Sequence, residues 1–107
     1  MATSVEYIEF VCDQIAGTGD IRYKKMFGEY MVYVNDKPVL LVCDNTVYVK
    51  KLSELQDKMQ DVDVGIPYNG SKEYYILDIE NCEFAKEIVS ILEEIIPMPK
   101  SRKKKRG

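Results

Sequence analysis

Two short polar dipeptides, Asn35-Asp36 and Asp44-Asn45, separate three runs of aliphatic, β-branched and aromatic residues: Tyr30 to Val34, Val39 to Cys43 and Thr46 to Lys50. Asparagine and aspartate tolerate positive φ, so a pair of them between apolar runs favours a two-residue turn over a long connection. Strands joined so tightly must lie beside their neighbours in sequence. The stretch therefore predicts an antiparallel meander, and no other part of the chain constrains the fold as strongly.

The β-region extends upstream through Ile21 to Met26. Gly28 lies between that run and Tyr30, and a glycine inside a strand commonly marks a bend or bulge. This predicts one long first strand, kinked near Gly28. Helices flank the sheet. Thr3 with Glu6 matches a capping box, and Val5, Ile8, Cys12 and Ile15 recur at helical spacing, with Phe10 and Val11 broadening the buried face and Gly17 ending the helix. Ser53 with Gln56 predicts a second, short helix over residues 53–60. Residues 62–72 read as a loop punctuated by Pro67 and Asn69-Gly70, and Tyr74 to Ile79 as a strand. Asn81 then caps a last helix that carries Phe84, Ile88, Leu92 and Ile95 on one face and stops at Pro97 and Pro99. The expected fold is α+β: two layers with a mostly antiparallel sheet, in the order α, three strands with the first kinked, α, β, α.

A chain of 107 residues holds one domain. Its boundaries read as residues 1–97, followed by a disordered basic tail over 98–107. Residues 1–99 carry all 18 acidic residues against nine basic ones, whereas the tail carries Lys100, Arg102, Lys103, Lys104, Lys105 and Arg106 and no acid. No apolar run reaches the ~20 residues of a membrane span, and no signal peptide opens the chain, so no membrane association is expected and the cytoplasm is the default compartment. Cys12, Cys43 and Cys82 are odd in number and lack CxxC spacing, and there is no histidine. Neither a disulfide framework nor a metal site is expected, and no cofactor is implied. Cys82 falls at a helix start, where a thiol can be activated, but Glu80 and Glu83 oppose that.

The strands are apolar on both parities. A sheet with one wet face should alternate, yet Tyr30 to Val34, Val39 to Cys43 and Tyr74 to Leu77 do not. Three helices in so short a chain leave one face uncovered. Either a homodimer or protein partner shields that face, or a monomer tolerates a tyrosine-rich, half-exposed surface.

Met26-Phe27-Gly28, Tyr30, Asn35-Asp36-Lys37, Leu41-Val42 and Val47-Tyr48-Val49-Lys50 together resemble the N-terminal domain of the TfoX/Sxy competence-regulator family. The resemblance spans residues 5–96. Glu29 stands where that family often has a second glycine. The Pro67-to-Lys72 loop and the proline-then-lysine ending look like short, single-domain bacterial members. The resemblance implies a two-layer α+β fold and kinship with regulators of DNA-uptake competence, acting in transcription rather than in catalysis. It implies no catalytic residues. As motif residues Met26, Phe27, Gly28, Tyr30, Tyr48 and Lys50 read first as structural: core packing, a backbone requirement, and cross-strand partners.

Two functional readings follow. One is a non-enzymatic regulatory or protein-interaction module working through the surplus apolar sheet face. The other is a sequence-independent nucleic-acid binder anchored by the tail cations, with affinity falling steeply with salt. Catalysis has little to stand on: no histidine, no phosphate-cradling glycine loop, and no nucleophile paired with a base. Ser53 near Lys50 and Lys51 is a helix cap, and the adjacent Glu93-Glu94 cannot face each other across a site.

Overall fold

The computed structural model describes residues 3–26 and 29–97. Its elements are α1 (Val5–Gln14), β1 (Ile21–Met26), β2 (Glu29–Val34), β3 (Lys37–Cys43), β4 (Thr46–Val49), a single 3₁₀ turn (Ser53–Leu55), β5 (Val64–Gly65), β6 (Tyr74–Ile76) and α2 (Cys82–Ile95). The strands form one antiparallel sheet in the order β1-β2-β3-β4-β6-β5. The α+β class and the antiparallel sheet match the sequence reading; the order of elements differs in three places.

Both polar dipeptides make the predicted turns. Asn35 and Asp36 have φ of 52° and 68°, Asp44 and Asn45 of 52° and 54°. Positive φ at both central positions gives the turn twist that matches antiparallel strands. The first turn is also tied down. Asn35 Oδ1 accepts from the Asp20 amide at 2.9 Å, and Lys37 Nζ donates to the Glu93 carbonyl at 2.7 Å. A cation there satisfies an end-of-helix carbonyl of α2 and complements its dipole.

The kinked first strand is instead two strands. Ile21 pairs with Val34 and Met26 with Glu29, so the chain reverses between them. A glycine between two apolar runs is compatible with a kink or a reversal, and here pairing decides. Glu29 is held at the reversal by its own carboxylate, whose Oε1 accepts from Thr3 Oγ1 at 2.8 Å and from the Asp44 amide at 2.9 Å.

The helix expected over 53–60 is only one 3₁₀ turn followed by turns. Leu52 precedes it without a side-chain cap, and Ser53 Oγ faces Glu54 instead. A segment this short cannot offset the cost of helix nucleation, and buried Leu55 and Met59 hold it by packing. Residues 62–72 are not wholly loop, because Val64–Gly65 pairs with β6. The strand expected over 74–79 ends at Ile76, although the Leu77 amide still reaches the Val47 carbonyl at 2.9 Å.

Both helices pack on one face of the sheet. In α1 the buried line is Ile8 and Val11, continued by Ile15 at its C-cap, while Val5 and Phe10 are exposed and Cys12 is half-buried. Ser4, not Thr3, caps that helix by accepting from the Tyr7 amide. Thr3 is buried and is spent on Glu29 and the Asn45 amide. In α2, Asn81 accepts from the Phe84 amide as predicted, and Ala85, Ile88, Val89 and Leu92 meet the sheet. The sheet's answering residues are every second one: Tyr30, Val32 and Val34 from β2, Leu40 and Val42 from β3, Val47 and Val49 from β4. A bulge opposite Val32 and Tyr33 adds Val39 to this buried set. The register is thus fixed by the covered face.

Candidate interaction surface

The residues between those buried positions form the other face. Cross-strand pairing runs Met31 to Leu41, Leu41 to Tyr48, and Tyr48 to Ile76, an apolar row across four strands that no helix covers among the described residues. All four are half-buried. Toward the Asp44-Asn45 turn the row is flanked by Met26, Glu29 and Cys43.

Past β5, Pro67 and Tyr68 lie beside this face. They close one side of a cleft of about 640 Å³, lined also by Met26, Glu29, Met31, Leu41, Cys43 and Tyr74 and reaching Tyr30. Six large hydrophobic residues are exposed among the described residues, and Val64, Ile66 and Tyr68 are three of them. Of these three, Tyr68 lines the cleft, whereas Val64 pairs with Tyr75 on the covered-face parity and lines a separate cleft with Leu52 and Ser53. Tyr48 and Tyr74 meet edge to face with ring centroids 6.4 Å apart. Gly65 makes room for this packing: a Cβ there would stand 3.2 Å from Ile76 Cδ1 and 3.3 Å from Tyr48 Cε1.

Apart from the Glu29 carboxylate, which Thr3 and the Asp44 amide hold, the groups of the cleft are neutral. Burial, with Glu29 and Asp44 nearby, pushes the Cys43 thiol up to about 11, so at neutral pH it is protonated and a poor nucleophile. Burial raises Tyr48, and burial with the neighbouring Tyr68 raises Tyr74. Both keep their hydroxyl protons. Cys12, on α1, is likewise pushed up to about 11 by burial and by Asp13 and Glu9. The surface offers apolar contact area, aromatic edges, a few neutral hydrogen-bonding groups and the Glu29 carboxylate. Such a set suits recognition of another chain. Among the described residues no cluster of histidine, cysteine, aspartate and glutamate could hold a metal ion, and no helix is long and apolar enough to cross a membrane.

The motif residues separate on this structure. Met26 ends β1 and lines the cleft, and Tyr48 lies at the centre of the open row. Tyr30 is on the covered side, 4% exposed, against Tyr23 at 5.4 Å. Lys50 is exposed just past β4 and away from the cleft, beside Pro38 and Ile96. Phe27 and Gly28 lie outside the described residues, as do Lys100, Arg102, Lys103, Lys104, Lys105 and Arg106. Sequence reasoning missed Met31, Leu41, Tyr68 and Tyr74 as site residues. Their signal was the apolar character of both parities in β2, β3 and β6.

The model of the TfoX N-terminal domain matches residues 13–94. A protein of Spirochaeta aurantia described as an uncharacterized 12.7 kDa protein in the trpE 5′ region is 34% identical over 107 residues, covering 98% of this chain and 93% of that one. A match over most of the folded part, in the fold just described, settles the kinship: this chain belongs to the TfoX N-terminal domain family.

Proposed function

We propose that this chain is a cytosolic, non-enzymatic regulatory module that recognises another protein chain, a second copy or a different partner, through the open face of its sheet. The carrying observation is the row Met31–Leu41–Tyr48–Ile76, which no helix covers among the described residues, beside the cleft closed by exposed Tyr68. Contiguous apolar surface of this kind on a small domain usually marks an interaction site. A partner in the transcriptional control of DNA-uptake competence fits the family.

A photo-crosslinking residue placed at Leu41, compared with one at Glu94 on α2, tests this in cells. A discrete product from position 41 alone, lost when Met31→Glu is added, supports the reading. Equal products from both positions, or none from 41, contradict it.

A second reading rests on the tail. Six cations within residues 100–106 suit phosphate contacts, and neutralising about six phosphates gives a slope of log affinity on log salt near −5. Anisotropy of labelled duplex DNA, with the full chain and with one ending at Pro99, tests it. Binding that is insensitive to the truncation removes the tail from consideration.

A further inference from the structure

We propose that the outer edge of β1 is a strand-addition site for an extended, acidic segment of a partner protein. The inference goes beyond the open-face reading and holds whether or not the cleft is occupied.

The sheet has two edges, and they differ. β5 has two residues, too few to template a partner strand. β1 has six, and its four central residues, Arg22 to Lys25, are all exposed. Among the described residues β1 pairs on one side only, with β2.

The register says which backbone groups are free. In an antiparallel pair, opposed residues alternate between exchanging hydrogen bonds and not doing so. The Asn35 amide donates to the Asp20 carbonyl at 2.9 Å, one step before Ile21 opposite Val34. Arg22 and Lys24 therefore bond inward to β2, whereas Ile21, Tyr23 and Lys25 turn their amides and carbonyls outward. Three residues whose outward groups bond nothing among the described residues make a docking edge for a short extended peptide.

Charge selects the occupant. Arg22, Lys24 and Lys25 are three of only nine cations in residues 1–99, set against 18 acids. Arg22 has an exposed pairing with Asp20, and neither lysine forms an ion pair among the described residues. Self-pairing of β1 about a twofold axis through Tyr23 would set Arg22 opposite Lys24 of the second copy, and like charges directly opposed are destabilising. A strand with acids two residues apart instead places a carboxylate opposite Arg22 and another opposite Lys24. The same lysines that deter edge-to-edge aggregation thus admit one class of partner.

The test uses the full chain at low and physiological salt, with a labelled heptapeptide alternating Glu and Val as probe and its Lys-Val counterpart as control. Anisotropy reads affinity, and hydrogen exchange reads the amides of Tyr23 and Lys25. We expect binding of the Glu-Val peptide, at least tenfold weaker binding of the Lys-Val peptide, and protection of both amides. Lys24→Glu should weaken binding at least tenfold, Tyr23→Pro should abolish it by removing an outward amide, and Leu41→Glu should leave it unchanged. Lys24→Glu is a surface change, so it remains informative if the proline disturbs folding. The proposal is overturned by equal binding of the two peptides, by no binding, or by loss of binding with Leu41→Glu alone. Binding that leaves Tyr23 and Lys25 unprotected overturns it too, because the acidic peptide then sits elsewhere, as on the cations of Lys100–Arg106.

Discussion

The two faces of this sheet are built from the same strands and nearly the same residue types, yet they end in different states. On the covered face Val32, Val34, Leu40, Val42, Val47 and Val49 are essentially excluded from water by α1 and α2. One residue along each strand, Met31, Leu41 and Tyr48 remain half-exposed. Hydrophobicity alone therefore does not define the core. What distinguishes the faces is which one the two helices can reach, and α1 and α2 carry apolar stripes for one face only. The surplus on the other side lies outside the packing of the two helices.

The largest expected contrast is between adjacent leucines. Leu40→Ala empties a packed site and should cost about 2–5 kcal/mol. Leu41→Ala removes half-exposed area and should cost about 1 kcal/mol. Urea unfolding of the two variants checks this, and similar losses would break the comparison.

Gly65→Val probes the packing of the open face itself. The added atoms would press on Tyr48 and Ile76, already 3.2–3.3 Å from a bare Cβ. A loss of about 1–3 kcal/mol is expected, with changed tyrosine fluorescence.

Alkaline pH sharpens the picture at Cys43. Its folded value of about 11 lies above the ordinary 9.0, so the fold favours the neutral thiol. This contribution is intact below pH 9 and is lost as pH rises from 9 through 11, where the unfolded chain ionises first. Under reducing conditions the chain should lose stability across that window. Cys43→Ala should lose about 1–2 kcal/mol less, the remaining decline belonging in part to Cys12.

The smallest effect concerns the covered side's attachment. Lys37→Met removes the bond to the Glu93 carbonyl and should cost about 1 kcal/mol, read as a lower midpoint in thermal unfolding.

Much of this was legible in the chain. Asn35-Asp36 and Asp44-Asn45 announce their turns because few other residue types accept φ near 55°, and Asn81 announces α2 because a helix start needs an acceptor. The β1–β2 reversal was not legible, because Phe27-Gly28 lacks the polar signature of a turn and what settles the pairing is distant: Thr3 and Asp44 gripping Glu29. Residues 53–60 look helical locally and are overruled by the burial of Leu55 and Met59. The open face was visible as excess apolar character, but not which residues compose it. That depends on register, which puts Tyr48 outside and Tyr30 inside although both stand in similar sequence surroundings.

The most direct test replaces Leu41 with glutamate and follows both stability and a photo-crosslink from position 74 in cells. If the open face is a partner surface, Leu41→Glu stays folded, losing only about 1–2 kcal/mol where Leu40→Glu unfolds, and its crosslinked product disappears. A product that persists, or a chain that unfolds as a buried-charge variant of Leu40 would, contradicts the division of this sheet into a face for folding and a face for recognition.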